Sequence, residues 1–160
     1  MKNKQTITIG IPAYNEASNI TRLIADLVAQ VQRDFLMEKI IVVSDASTDG
    51  TADVVEKIRK TRVEVIENRE RRGKAHSLNL IKDKSTSDIL LLLDADIRIP
   101  DTQFINNLIT PIVKGQAAIT YAKIREDRPT NFLSNILFAS MIFKHGILKV
   151  GTMATIFIQQ

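Results

Sequence analysis

The chain contains no cysteine and no tryptophan, and aromatic residues make up only 5% of it. Without cysteine, disulfides and thiolate-held zinc or iron–sulfur centres are excluded, and a reducing compartment suits the composition. No run approaches the roughly 20 apolar residues that a membrane-spanning helix needs. The opening stretch "MKNKQTITIG" lacks a long apolar segment, so no signal peptide is expected. A cytoplasmic location follows as an expectation, with membrane association left open for a longer protein. Basic residues cluster in one short loop and aromatics are scarce, so no nucleic-acid partner is expected. There is no internal repeat, low-complexity tract or convincing linker.

What is present is ordinary for a soluble globular protein: 160 residues, 44% hydrophobic and 25% charged. That length is most simply one domain, enough to bury a real core. The formal charge of +4 and the pI near 9.4 suit an anionic partner and equally a generic basic surface.

Along the chain, strand and helix patterns alternate. "TITIGIPA" (6–13) is a short β-rich run closed by Pro12. Ile20, Leu23, Ile24, Leu27, Val28 and Val31 then follow a helical period, with Ser18 or Asn19 as the expected cap. "KIIVVSDAS" (39–47) reads as a second strand, and Val54, Val55 and Ile58 give the next helix its apolar face. "RVEVIEN" (62–68) alternates as a strand, and "GKAHSLNLIK" (73–82) places Ala75, Leu78 and Ile81 on one stripe. "ILLLL" (89–93) is the fourth strand. This order predicts parallel βαβ units, and the unbroken apolar runs predict strands covered on both faces. Crossovers should be right-handed, with helices on both sides of the sheet. Further on, Asp101 is the expected cap of a helix carrying Phe104, Ile105, Leu108, Ile109 and Ile112, shortened or kinked by Pro111 and stopped at Gly115. "AAITYAKI" (117–124) reads as another strand and 132–150 as a broad apolar helix.

Open parallel sheets bind ligands beyond the carboxyl ends of their strands. Past the first strand lies "PAYNEA", with Pro12, Tyr14, Asn15 and Glu16; past the second, "SDASTDG", with Asp45 and Asp49. The third is followed by "NRERRGK", with Arg69, Arg71, Arg72 and Lys74, and the fourth by "DAD". Each segment alone has a plain structural explanation: turn residues, caps, a solvated charge run, a strand end. Their joint placement on one edge favours a single site. Tyr14 can stack on a planar base, and Asp45 can accept from the base edge or a ribose. Arg71, Arg72 and Lys74 can pair with a diphosphate. Asp94 and Asp96 fall on one side, about 7 Å apart, if the strand persists through Ala95. One of them can bind a hard divalent cation and the other a sugar or ribose hydroxyl.

"IPAYNEASNI", "VVSDASTDGT", "NRERRGKAHSLNL" and "ILLLLDAD" resemble, in that order, the N-terminal half of family 2 glycosyltransferases. The likeness covers about residues 6–100. It implies the GT-A fold, a Rossmann-like α/β architecture with a mostly parallel sheet. It also implies an inverting transfer of a sugar from a nucleoside diphosphate sugar, UDP- or GDP-linked, to an acceptor hydroxyl, with Mg²⁺ or Mn²⁺. By the resemblance, Pro12, Tyr14, Asn15, Glu16 and Asp45 belong to the donor nucleotide site, with Tyr14 and Asp45 at the base. Arg72 and Lys74 lie near the base or phosphates, Asp94 approaches the ribose or metal, and Asp96 coordinates the metal. Ser44-Asp45 stands where the family often has two acids.

Family members draw their general base from an acid in a C-terminal, acceptor-side half, and many add a Gln-x-x-Arg-Trp helix. This chain has no Trp, and its one Glu-Asp pair, Glu126-Asp127, falls too early. The expectation is one donor-binding domain, 1–160, with nucleotide-binding βα units over 1–100. The incomplete start of an acceptor-side region would occupy 101–160, the chain being truncated before the acceptor half. A non-catalytic nucleotide-sugar-binding or interaction domain is the alternative, and the 132–150 segment would dock on missing protein, a second subunit or a membrane surface. "PAYNEA" differs from the glycine-rich loop of a sugar-phosphate nucleotidyltransferase and from the G-x-G-x-x-G of a dinucleotide oxidoreductase.

Overall fold

A computed structural model describes residues 4–58, 62–99, 101–122 and 155–158. The elements run β1 (Gln5–Ala13), α1 (Ala17–Val28), β2 (Phe35–Asp45), α2 (Thr51–Lys57), β3 (Val63–Asn68), α3 (Lys74–Lys84), β4 (Ile89–Leu92), α4 (Phe104–Val113) and β5 (Thr155–Ile158). They build one sheet in the order β3-β2-β1-β4-β5, in which the first four strands are parallel and β5 is antiparallel to β4. The strand order reverses between β1 and β4. A doubly wound sheet opens its ligand crevice at such a reversal.

The apolar runs explain the layering. Ile7, Ile9, Ile11, Ile40, Val42, Ile89 and Leu91 pack on one face with Ile20, Leu23, Ile24 and Leu27 of α1, Val55 of α2 and Ile105, Leu108 and Ile109 of α4. Ile41, Val43, Leu90 and Leu92 point to the other face and meet Ile81 of α3. A strand covered on both sides has no polar alternation to show, and Ile40–Val43 and Ile89–Leu92 have none. Gly10 sets the depth of the second face. A Cβ there would lie 2.3 Å from Ile81 Cγ2 and 2.9 Å from Leu92 Cδ2, so only glycine lets α3 settle this close to β1.

Several boundaries differ from the sequence reading. Strand β2 starts at Phe35, four residues before the run 39–47, and ends at Asp45. Its first part alternates buried Phe35 and Met37 with exposed Leu36 and Glu38, a half-covered edge segment. A bulge between the Ile7 and Thr8 pairings skips Glu38. The Glu38 carboxylate accepts from the hydroxyls of Thr86 and Ser87. Helix α1 stops at Val28, leaving Val28 and Val31 exposed. Neither Ser18 nor Asn19 caps it: the cap position is Glu16, and the capping groups come from another loop. On α3 the buried positions are Ser77 and Ile81, with Leu78 partly buried and Ala75 exposed.

Helix α4 is tied to the end of α1 through buried amides. Gln30 donates to the carbonyl of Asp101 (2.8 Å) and accepts the N–H of Ile105 (3.1 Å). Asn106 donates to the Val31 carbonyl (2.6 Å) and accepts the N–H of Asp34 (3.3 Å). The N-cap of α4 is Gln103, and Asp101 instead accepts the Gln103 N–H (2.7 Å). Pro111 sits in the last turn, and the helix ends two residues later. Gly115, at φ 67°, closes it with the paired bonds Gly115 N–H to Ile112 O and Gln116 N–H to Pro111 O (both 2.8 Å).

The expected strand 117–124 is not formed over its described part: residues 117–122 show only an isolated bridge at Tyr121. The apolar segment 132–150 and the Glu126-Asp127 pair lie outside the described residues. No described helix is long and apolar enough to cross a membrane.

Candidate functional site

At the carboxyl ends of β1, β2 and β4 a cleft of about 250 Å³ opens, lined by Pro12, Ala13, Tyr14, Glu16, Asp45, Arg71, Gly73, Lys74, Ser77, Asp94, Ala95 and Asp96. It stands at the β1/β4 reversal, where the parallel topology leaves neighbouring loops splayed in opposite directions.

Two of those loops are sewn together beneath the cleft. Asn15 is left-handed (φ 57°); its side-chain oxygen accepts the Thr48 N–H (2.8 Å), and its own N–H donates to Ser47 Oγ (3.1 Å). Ser44, buried, donates to the same Ser47 hydroxyl (2.9 Å). The first N–H groups of α1 lack a local side-chain cap. Ala17 N–H donates to Asp49 Oδ2 (3.0 Å), and Glu16 N–H to Thr51 Oγ1 (2.9 Å), which in turn donates to Asp49 Oδ1 (2.5 Å). The Asp-Gly-Thr stretch after β2 is therefore the N-terminal cap of the preceding helix, supplied from 32 positions away. Burial pushes the Asp49 carboxyl up, and the bonds from Thr51 and Ala17 outweigh it, holding it below its ordinary value.

Asp45, at the end of β2, is 4% exposed. Its Oδ1 accepts from Asn68 Nδ2 (2.7 Å) and the Arg72 N–H (3.0 Å), and its Oδ2 from the Gly73 N–H (2.7 Å). Burial raises its pKa, but the Arg72 backbone bond, the Asn68 amide, the Gly73 backbone bond and the Arg71 charge together bring it below the usual carboxylate value. One carboxylate thus pins the basic loop and the start of α3 to the sheet edge. Gly73 has φ 86°, a conformation that suits glycine, and this bend aims Lys74 inward.

Across the cleft, the Arg71 guanidinium lies 3.9 Å from the centroid of the Tyr14 ring, a cation–π contact at a half-exposed tyrosine. The Lys74 ammonium is 2.5 Å from Asp94 Oδ1, with the Asp94 side chain largely buried. Asp96 is exposed at the rim. The strand does not persist through Ala95. β4 ends at Leu92, Leu93 N–H still bonds Gly10 O (3.0 Å), and residues 95–96 turn. Strand alternation therefore does not bring Asp94 and Asp96 together; the turn does, by folding both onto the cleft wall.

The fold thus gathers Pro12, Tyr14, Glu16, Asp45, Lys74, Asp94 and Asp96 around one space. Asn15 and Arg72 do not line it: Asn15 faces the neighbouring loop, and Arg72 contributes its backbone N–H to Asp45. Ser77, fully buried on the first turn of α3, and Ala95 line the cleft without a signal in the sequence, because both read as ordinary helix and strand filler. Among the described residues no group of three or more His, Asp or Glu is arranged to hold a metal ion by itself.

A doubly wound sheet with a mixed acidic, basic and aromatic cleft at its reversal defines a Rossmann-like α/β domain of the GT-A kind. More narrowly, the chain belongs to glycosyl transferase family 2, whose family model matches residues 8–152. It is 31% identical over 91 residues to the poly-beta-1,6-N-acetyl-D-glucosamine synthase of Staphylococcus aureus, a match covering 56% of this chain and 21% of that protein. The chain thus spans about a fifth of the length of that relative. Among solved structures it is similar to the mannosyltransferase PcManGT of Pyrobaculum calidifontis in complex with GDP-Man and Mn²⁺, with TM-score 0.65 and 28% identity. That match covers 74% of this chain and 35% of the other. It is also similar to the Mycobacterium tuberculosis glucosyl-3-phosphoglycerate synthase in complex with Mn²⁺, UDP and glucosyl-3-phosphoglycerate. There the TM-score is 0.57 and the identity 26%, over 72% of this chain and 42% of that one.

Proposed function

We propose that this chain carries the donor-binding part of an inverting, metal-dependent glycosyltransferase that uses a nucleoside diphosphate sugar, UDP- or GDP-linked. The observation that carries the reading is the convergence of Tyr14, Asp45, Lys74, Asp94 and Asp96 on one cleft at the sheet reversal. Family membership supports it, as do similar structures that hold GDP-Man with Mn²⁺ and UDP with Mn²⁺.

In this reading Tyr14 offers its ring to the nucleotide base, and Asp45 holds the loop that closes over it. Arg71 and Lys74 bring positive charge to the diphosphate, where negative charge grows as the sugar departs. Pro12 and Glu16 shape the wall beside the ribose. Asp94 and Asp96 suit Mg²⁺ or Mn²⁺, because such ions take one or two carboxylates and complete their shells with water and substrate phosphates. When bound, the ion supplies Lewis-acid stabilisation of the leaving diphosphate. Two acids on a turn, one at the rim and one deeper, fit that role without a full protein cage.

Calorimetric titration of the 160-residue chain with UDP, GDP and their sugars, with and without Mn²⁺, tests the proposal. Metal-dependent binding of at least one of them is the expected result; binding of none in either condition overturns it.

A further inference from the structure

The Lys74–Asp94 pair joins the two ends of the cleft that the proposed function assigns to different partners. Lys74 belongs with the diphosphate and Asp94 with the cation, yet here they hold each other at 2.5 Å. The pair is built, not incidental. Lys74 is the first residue of α3, and the backbone before it is fixed by the Gly73 N–H to Asp45 bond and by the Gly73 bend at φ 86°. Asp94 sits on the turn after β4, its side chain 14% exposed against 40% for Lys74. Asp96 has no hydrogen bond or ion pair among the described residues, so the cleft offers a cation one free carboxylate and one already matched.

We propose that the Lys74 ammonium is a built-in stand-in for the divalent cation, occupying Asp94 until a diphosphate draws it away. Metal and diphosphate then bind as a linked pair through an exchange of ionic partners. The diphosphate oxygens take the ammonium, and the freed Asp94 carboxylate joins Asp96 on the cation. A cation arriving alone must either displace Lys74 or sit beside its positive charge, so it binds weakly. A flexible ammonium on a four-carbon stem can make this exchange with small movement, since only its stem torsions change. The ion pair also offsets part of the negative charge of the two carboxylates that line the same cleft. This inference rests on the donor-site reading given above.

The test is Mn²⁺ binding to the 160-residue chain, followed by the electron paramagnetic resonance signal of free Mn²⁺, with the metal alone and then with UDP or GDP. Lys74→Gln removes the charge and keeps the polar stem; Lys74→Arg keeps the charge. If the stand-in operates, Lys74→Gln tightens Mn²⁺ binding in the absence of nucleotide by about tenfold, the order expected for removing a unit charge beside a divalent ion. The same variant weakens UDP or GDP binding in the absence of metal, and Lys74→Arg stays close to the wild type in both measurements. Unchanged or weaker metal-alone binding in Lys74→Gln overturns the exchange, even where nucleotide-dependent Mn²⁺ binding persists and the donor-site reading stands. Mn²⁺ binding that is absent from wild type and variant, with and without either nucleotide, overturns both. Circular dichroism of the variants, expected to match the wild type, separates these outcomes from misfolding.

Discussion

The Asp45 carboxylate holds the Gly73 N–H at 2.7 Å, and through it the end of β2 sets where α3 begins. With Asn68 and the Arg72 N–H on its other oxygen, this aspartate organises the whole turn from β3 into α3. Asp45→Ala leaves two backbone N–H groups and one amide without their acceptor, and should cost roughly 2–4 kcal/mol in urea unfolding. It should also speed limited trypsin cleavage after Arg69, Arg71, Arg72 or Lys74. Wild-type cleavage rates in the variant would show that the loop holds its place without Asp45.

Gly10→Ala places a methyl group against Ile81 and should destabilise by about 1–3 kcal/mol, the usual cost of overpacking. Ile81→Ala alone should cost about 2–5 kcal/mol through the cavity it leaves. The double variant should be less destabilised than the sum of the two, because the new methyl enters the vacated space. Strict additivity in denaturant midpoints would mean that the two residues do not share that contact.

Ala46 has φ 58° without being glycine. Left-handed backbone costs an L-residue of this kind about 1 kcal/mol, so Ala46→Gly should leave stability unchanged or raise it by up to about that amount. A lowered melting temperature would contradict the strain.

Acid should weaken the fold in a defined direction. Backbone and hydroxyl bonds from Thr6 hold the Asp88 carboxyl below its ordinary value against the opposing effect of burial, and Asp45 and Asp49 are also lowered. A carboxylate with a depressed folded-state pKa contributes stability that is present above its unfolded value near 3.9 and is lost as pH falls through the folded-state value. Asp49→Asn and Asp88→Asn should therefore be less stable than wild type at pH 7 and lose less on acidification below about pH 4. Parallel stability–pH curves for wild type and both variants would sink this account.

On the proposed donor-site reading, Asp96→Ala should abolish the Mn²⁺ dependence of nucleotide binding while leaving the unfolding free energy within about 0.5 kcal/mol of wild type, as for an exposed residue without partners. Loss of the fold instead would assign Asp96 a structural role.

The order of strands and helices up to β4 was legible because covered parallel strands and one-sided helices leave strong periods in the chain. Ile40–Val43 and Ile20 to Leu27 illustrate the two. The edge of β2 at Phe35 was not, since a short alternating stretch beside a bulge carries little pattern. The cap of α1 was also hidden. Its oxygens, on Asp49 and Thr51, come from beyond an intervening strand, and no local spacing betrays them. The grouping of cleft residues could be read from the rule about strand ends. Their individual partners could not, because Asn15 and Asp45 spend their polar atoms on neighbouring loops. Strand β5 pairs antiparallel with β4 from far along the chain, and four residues of "TIFI" give no indication of which edge they join.

The pairing of Ile7 with Ile89 and the bonds between Thr6 and Asp88 bridge 82 positions. The seam between β1 and β4 is where the cleft lies, so the cleft does not exist until both strands are present. Parallel pairings at such separation form slowly, after local helices and shorter-range contacts. Strands β1, β2 and β3 alone make a sheet with no reversal in its order, and so with no crevice. The crevice is thus a property of the completed parallel sheet, and a ligand that fills it would bind only chains in which β4 stands beside β1.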